Sequence, residues 1–85
     1  MNVTILYFAS LREALKTDRE SVQLPADVVT AGHLRAWLGA RGGAWSESFA
    51  EGRAVRVALD QVLVAPGAPL RDGAEVAFFP PVTGG

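Results

Sequence analysis

The chain contains no cysteine, one histidine and one lysine among its 85 residues. Without cysteine there are no disulfides, no thiolate metal sites and no cysteine nucleophile, a composition that suits a reducing cytoplasm. The lone histidine, His33, has no second histidine or cysteine with which to share an ion, so no metal is expected. A basic block is also missing: eight Lys and Arg face nine Asp and Glu, for a net charge of -1, which argues against nucleic acid as a partner. No apolar run is long enough to cross a bilayer. The opening MNVTILYFASL lacks a positive leader and runs straight into a charged helical pattern, so no membrane role is expected. Linkers, repeats and low-complexity stretches are absent too, leaving residues 1–85 as one domain.

What is present is a core. Apolar residues make up 49% of the chain, although a domain this small buries only about 60% of its unfolded surface and has a thin stability margin. Residues 2–8 are β-branched and aromatic on both faces, as in a central strand. Ser10 and Glu13 have capping-box spacing before a short helix over about 11–16. SVQL at 21–24 reads as a second strand stopped by Pro25. Thr30 caps a longer helix with the stripe Leu34, Trp37 and Leu38, and Gly42-Gly43 reads as its stop. A further helical turn holds Trp45 and Phe49 before Gly52. From Ala54 the period becomes two, with Val55, Val57 and Leu59 opposite Arg56, Ala58 and Asp60. Asp60-Gln61 reverses the chain into VLV at 62–64, where Leu63 points away from its neighbours. Turn chemistry over 65–73 leads to the last strand, EVAFF at 75–79.

The first and last strands are the most apolar, which places them side by side and parallel in the middle of a mixed sheet, with the long helix across one face. That is an α+β fold of β-grasp type. Catalytic equipment is scarce. His33 reads as an exposed or capping residue, and Asp60 and Asp72 are better explained by turns than by acid–base pairing with each other or with Glu75. Gly42-Gly43 lacks the Lys-Ser or Lys-Thr of a phosphate loop, and Trp37 and Trp45 sit at packing positions.

The remaining candidate is FFPPVTGG at 78–85. A Gly-Gly ending arises by chance in about one chain in 200, so the pair alone decides nothing, and a passive tail stays open at this point. Its context is more specific. Pro80 and Pro81 end the strand, have no N–H to donate and hold an extended course. Residues 81–85 would then reach about 17 Å at about 3.3–3.6 Å per residue. Val82, Thr83 and Gly84 lead outward, and bare glycines let a backbone pass a narrow tunnel to present Gly85. Activated as an adenylate, that carboxylate could be opened by a sulfur nucleophile to a thiocarboxylate, a positioned sulfur donor.

LRDGAEVAFFPPVTGG, residues 70–85, resembles the C-terminal signature of the molybdopterin synthase small-subunit family, also called molybdopterin-converting factor subunit 1. The rest of the chain matches in length and element order, through YFA and LRE at 7–13 and the strand before QVLV. The resemblance implies a ubiquitin-like sulfur carrier that is non-catalytic alone, binds no permanent cofactor and works in the cytoplasm. It implies that Gly85 is adenylylated with ATP by an E1-like adenylyltransferase, then loaded with sulfur from a cysteine desulfurase or sulfurtransferase. It further implies insertion of the tail into the synthase large subunit, within a heterotetramer, to supply the molybdopterin dithiolene of the molybdenum cofactor. Alternatives on the same fold are the sulfur carrier of thiamin biosynthesis and a ubiquitin-like modifier of target lysines.

The alternation also predicts a docking patch on the sheet face away from the long helix. Phe8, Leu63 and Phe79 form it, with Arg12, Pro80 and Pro81 at its edge.

Overall fold

The computed structural model describes residues 1–81; the tail residues Val82, Thr83, Gly84 and Gly85 lie outside the described residues. The elements in chain order are β1 (Asn2–Tyr7), α1 (Ala9–Leu15), β2 (Arg19–Gln23), α2 (Ala31–Gly39), α3 (Gly43–Ser48), β3 (Arg56–Leu59), β4 (Val62–Val64) and β5 (Glu75–Phe79). The strands form one sheet in the order β2-β1-β5-β3-β4. β1 and β5 run parallel at its centre, and the other neighbours are antiparallel. This is the mixed β-grasp sheet that the sequence pattern predicts.

One face of the sheet carries the core. Val3, Ile5 and Tyr7 of β1, Val76 and Phe78 of β5 and Val57 of β3 alternate inward, as period-two patterning requires. Leu11 and Leu15 of α1, Leu34 and Leu38 of α2, and Phe49 cover them. The expected long helix is thus joined on the same face by two short ones. Tyr7, Ile5, Phe78, Val76, Leu34 and Leu38 are the largest fully buried side chains. An aromatic group closes this core at the finishing end of β1 and β5. Phe49 meets Phe78 edge-on at 5.2 Å, and Tyr7 meets Trp45 at 5.4 Å.

Several boundaries differ from the sequence reading, each for a local reason. Tyr7 is the last residue of β1, and Phe8, expected within the strand, is instead the residue that caps α1. The next residue, Ala9, takes φ 52 and turns the chain sharply, so that the N–H groups of Leu11 and Arg12 donate to the Phe8 carbonyl. Ser10 therefore lies inside the first turn, and its hydroxyl caps nothing. β2 begins at Arg19 rather than Ser21, because pairing with β1 continues to Leu6 opposite Arg19. Thr30 caps α2 as expected, its Oγ1 accepting from the His33 N–H at 3.1 Å. α2, however, ends at Gly39; Gly42, at φ 82, is the cap residue that opens α3 rather than a stop for α2.

Asp60 and Gln61 both have positive φ, 47 and 71, and join β3 to β4 in a two-residue hairpin whose twist suits the strands. Asp60 also fastens that hairpin to β5. Its N–H donates to the Glu75 carbonyl at 2.9 Å, and its Oδ1 accepts from the Glu75 N–H at 3.0 Å. At the same end Asp72 Oδ1 accepts from the Asn2 N–H at 2.7 Å, and the Gly73 N–H donates to the Asn2 carbonyl at 2.6 Å. Both aspartates are thus turn residues.

Gly73 has φ 81, and a Cβ placed there meets nothing within 4 Å. A side chain at this position therefore carries a purely conformational cost. Gly73→Ala is expected to lower stability by about 1 kcal/mol, read as a lower urea midpoint with unchanged slope. An unchanged midpoint would contradict the left-handed geometry.

Candidate functional site

The sheet face turned away from the helices is built by register. Paired residues project to the same side, so Leu6 opposite Ala77, Ala77 opposite Ala58, and Ala58 opposite Leu63 form one row across four strands. Ala58 and Ala77 make its low floor, and Leu63 stands at its β4 end with 58% of its surface exposed. One step nearer the end of β5, Phe79 lies opposite Arg56 on the same side. The Phe8 N–H donates to the Phe78 carbonyl at 3.1 Å, which puts Phe8 beside the end of β5 with 44% exposure.

Of the expected trio, Leu63 and Phe79 thus share the outer face by register, and Phe8 lies beside the end of β5. Phe79 is half-buried, flanked by strands on both sides, rather than fully displayed. Arg12 is exposed on α1 one helical turn after Phe8, and Pro80 and Pro81 follow Phe79 half-buried. Pro81, Arg56, Leu63, Val55, Val57 and Val64 line an open concavity of about 470 Å³ between β3 and β4 beside the chain exit. Sequence reasoning missed the floor, because alanines carry little apolar signal. Val62, opposite Leu59 and so on the other side of the sheet from Leu63, is 63% exposed because among the described residues no strand flanks β4 on its outer side. Val82, Thr83, Gly84 and Gly85, the expected reactive tail, lie outside the described residues.

Ionised groups support this end from beneath. The Tyr7 hydroxyl donates to Glu20 Oε2 at 2.8 Å, and Arg41 grips both Glu20 oxygens at 2.9 and 3.0 Å. The Arg41 guanidinium also lies 4.4 Å from the centre of the Trp45 ring and 5.3 Å from that of Trp37. Burial, then the hydrogen bond to Glu20 and its charge, push the Tyr7 phenol far above its ordinary range, so it stays a neutral donor. Burial alone would raise the Glu20 carboxyl; the bonds from Arg41 and Tyr7 and the Arg41 charge together outweigh it and hold the group below the usual range. The cluster is saturated by its own members and leaves no group poised for proton transfer. At the opposite end, the Glu75 N–H and the Arg71 guanidinium, 2.6 Å from Oδ2, hold the Asp60 carboxyl low.

His33 is exposed and occupied locally, its Nδ1 accepting from the Val29 N–H at 3.3 Å. Among the described residues no three His, Asp or Glu side chains stand together as a metal site, and no helix is long and apolar enough to cross a membrane. What the described residues offer is a partly apolar sheet face with Pro80 and Pro81 at its edge.

The chain is similar to known proteins over nearly its whole length. The sequence pattern of the ThiS family matches residues 5–85. A molybdopterin synthase sulfur carrier subunit of Escherichia coli is 41% identical over 83 residues, 98% of this chain and 99% of its own length. The subunit so named in Haemophilus influenzae is 37% identical over the same shares of both chains. Among solved structures, the protein–protein complex of subunits 1 and 2 of molybdopterin-converting factor from Helicobacter pylori contains a chain with TM-score 0.67 and 26% identity, matched over 100% of both chains. SAMP1 from Haloferax volcanii superposes at TM-score 0.74 with 26% identity, again over 100% of both.

The ionised cluster makes a test that does not depend on these relatives. A carboxyl held below its unfolded value contributes stability above about pH 4.5, and loses it as pH falls through the lower folded value. Glu20→Gln is therefore expected to flatten the acid limb of unfolding free energy measured in urea, with Asp60 supplying what remains. An identical acid limb in the variant would show that the network contributes nothing.

Proposed function

The chain belongs to the ThiS family, and on that premise we propose that it is the sulfur carrier subunit of a molybdopterin synthase. The observation that carries this reading is the whole-chain identity to two curated subunits of that name. The family match runs through Gly85, the residue whose carboxyl group does the chemistry.

The carboxylate of Gly85 is a poor electrophile, because its oxygen is a bad leaving group. An E1-like adenylyltransferase joins it to AMP from ATP with loss of pyrophosphate. A sulfur nucleophile, supplied through a cysteine desulfurase or sulfurtransferase, then attacks the acyl carbon and expels AMP. The resulting thiocarboxylate is anionic near neutral pH and strongly nucleophilic. Inserted into the large subunit of the synthase, its sulfur attacks a carbon of cyclic pyranopterin monophosphate and displaces an oxygen substituent from it, which leaves an S-acyl link between the carrier and the pterin. Water then releases the acyl group as the original carboxylate, so two loaded carriers complete one dithiolene. The carrier works in the cytoplasm within a heterotetramer and holds no permanent cofactor, and the partners supply the remaining catalytic groups.

The role of the domain is to be recognised and to aim the tail. Phe8, Leu63 and Phe79 are the apolar contacts, Arg12 lies at their margin, and Pro80-Pro81 direct the chain off the sheet. The likeness to a chain in a two-subunit complex supports the large subunit as the occupant of this face. Because SAMP1 also shares the fold, a modifier reading is tested alongside. It requires Gly85 to be found in amide linkage to lysines of other proteins.

Deleting Gly85 is expected to abolish sulfur transfer to the large subunit while leaving the melting temperature unchanged, since the core cluster of the described residues closes at Phe78. A marked loss of stability, or retained transfer, would contradict the reading. Phe79→Ala is expected to weaken large-subunit binding by about 2 kcal/mol, or about thirtyfold, as an apolar anchor does. Titration calorimetry measures it, and unchanged affinity would remove this face as the docking surface.

A further inference from the structure

Antiparallel pairing reverses β2 against β1 and β3 against β5, so the first residues of β2 and β3 arrive where β1 and β5 finish. Those residues are Arg19 and Arg56. Arg19 lies opposite Leu6, and Arg56 opposite Phe79, both on the outer face. Leu6 and Phe79 belong to neighbouring central strands, so the two arginines flank the Phe8 and Phe79 part of the apolar patch, and Leu63 lies beyond Arg56 on β4. At about 4.8 Å per strand they stand about 14 Å apart across the sheet.

Both arginines are exposed. The ion pairs among the described residues are Arg41–Glu20 and Arg71–Asp60, which leave Arg19 and Arg56 without a carboxylate partner there. The acidic groups of the face collect at its other end. Glu75 lies four residues before Phe79 on β5, about 13 Å away at about 3.3 Å per residue. There Asp60 is paired with Arg71, and Asp72 accepts from Asn2. α1 adds Arg12, Glu13 and Lys16 off the sheet, of mixed sign. The chain as a whole carries a net charge of -1, so the positive end of this face is a local arrangement and not a consequence of bulk charge.

We propose that Arg19 and Arg56 form a basic rim on either side of the Phe8 and Phe79 part of the docking patch, and that the matching surface of the synthase large subunit carries carboxylates at both positions. The inference rests on the docking reading given above and adds the chemistry of the partner surface. Arginine suits the role because its planar fork binds a carboxylate through two parallel bonds. The concavity shared by Arg56, Leu63 and Pro81 has room for such a side chain beside the chain exit. Exposed rim charges of this kind act mainly on encounter: they steer association and are screened by salt, while the apolar anchors set dissociation.

The test is surface plasmon resonance of the full chain against the large subunit encoded in the same genome, at low and high salt. Arg19→Gln with Arg56→Gln is expected to slow association about tenfold at low salt, with the gap closing in about 0.5 M salt. Arg71→Gln removes one positive charge at the far end of the same face and is expected to change association less than about twofold. Phe79→Ala is expected to speed dissociation at every salt concentration. Loss of the Phe79 anchor with an unaltered salt dependence in the Arg19/Arg56 variant overturns the rim and leaves the docking face standing. If Arg71→Gln slows association by half as much, on a logarithmic scale, as the double rim variant, the rim is overturned too, because net charge would then be the cause. If Phe79→Ala is also silent, the docking reading fails and takes the rim with it.

Discussion

The structure depends on the parallel pairing of β1 with β5. That pair sets Tyr7 beside Phe78 and Leu6 beside Ala77, and each match assigns one row to the core and the next to the outer face. It also makes the two most apolar strands finish together. Most of the residues proposed for docking meet at that finish: Phe8, pushed out of its strand by the left-handed turn at Ala9; Phe79 at the end of β5; and the two prolines that follow it. The antiparallel outer strands then bring their starting residues to the same place. Parallel pairing of chain ends is costly to close, since the intervening loop entropy is lost first. The aromatic cluster of Tyr7, Trp45, Phe49 and Phe78 is positioned to offset it.

Much of this was legible in the sequence because it rests on period-two alternation. Val57 and Leu59 against Ala58, and Val76 and Phe78 against Ala77, announce which side of each strand is buried. Asp60-Gln61 announces the hairpin and Thr30 the start of α2. The end proposed as functional stood out in the sequence for a different reason. Two prolines and two glycines after an apolar strand are unusual in composition, and the motif they complete resembles that of a known family.

What stayed hidden depended on tertiary context. Whether Phe8 continues β1 or leaves it is decided by φ at Ala9, a residue with no intrinsic preference for that turn. Gly42-Gly43 satisfies a helix stop and a helix start equally well as a string, and only the short α3 behind it separates the two. Ala58 and Ala77 have too little side chain to declare themselves part of a docking floor. The bond from Tyr7 to Glu20 and the grip of Arg41 on both join three distant segments, and no local pattern relates them. The Tyr7, Glu20 and Arg41 groups satisfy one another, and on the function proposed above the part of the domain is to present a carboxyl group that partners activate.

The most direct test of that division of labour is the intact mass of the chain taken from its native cells under sulfur-replete conditions. The account predicts a species in which one oxygen of the Gly85 carboxylate is replaced by sulfur, and its disappearance when the adenylating enzyme is deleted. An unmodified carboxylate with that enzyme present, or recovery of the chain only as amide adducts on other proteins, would contradict it.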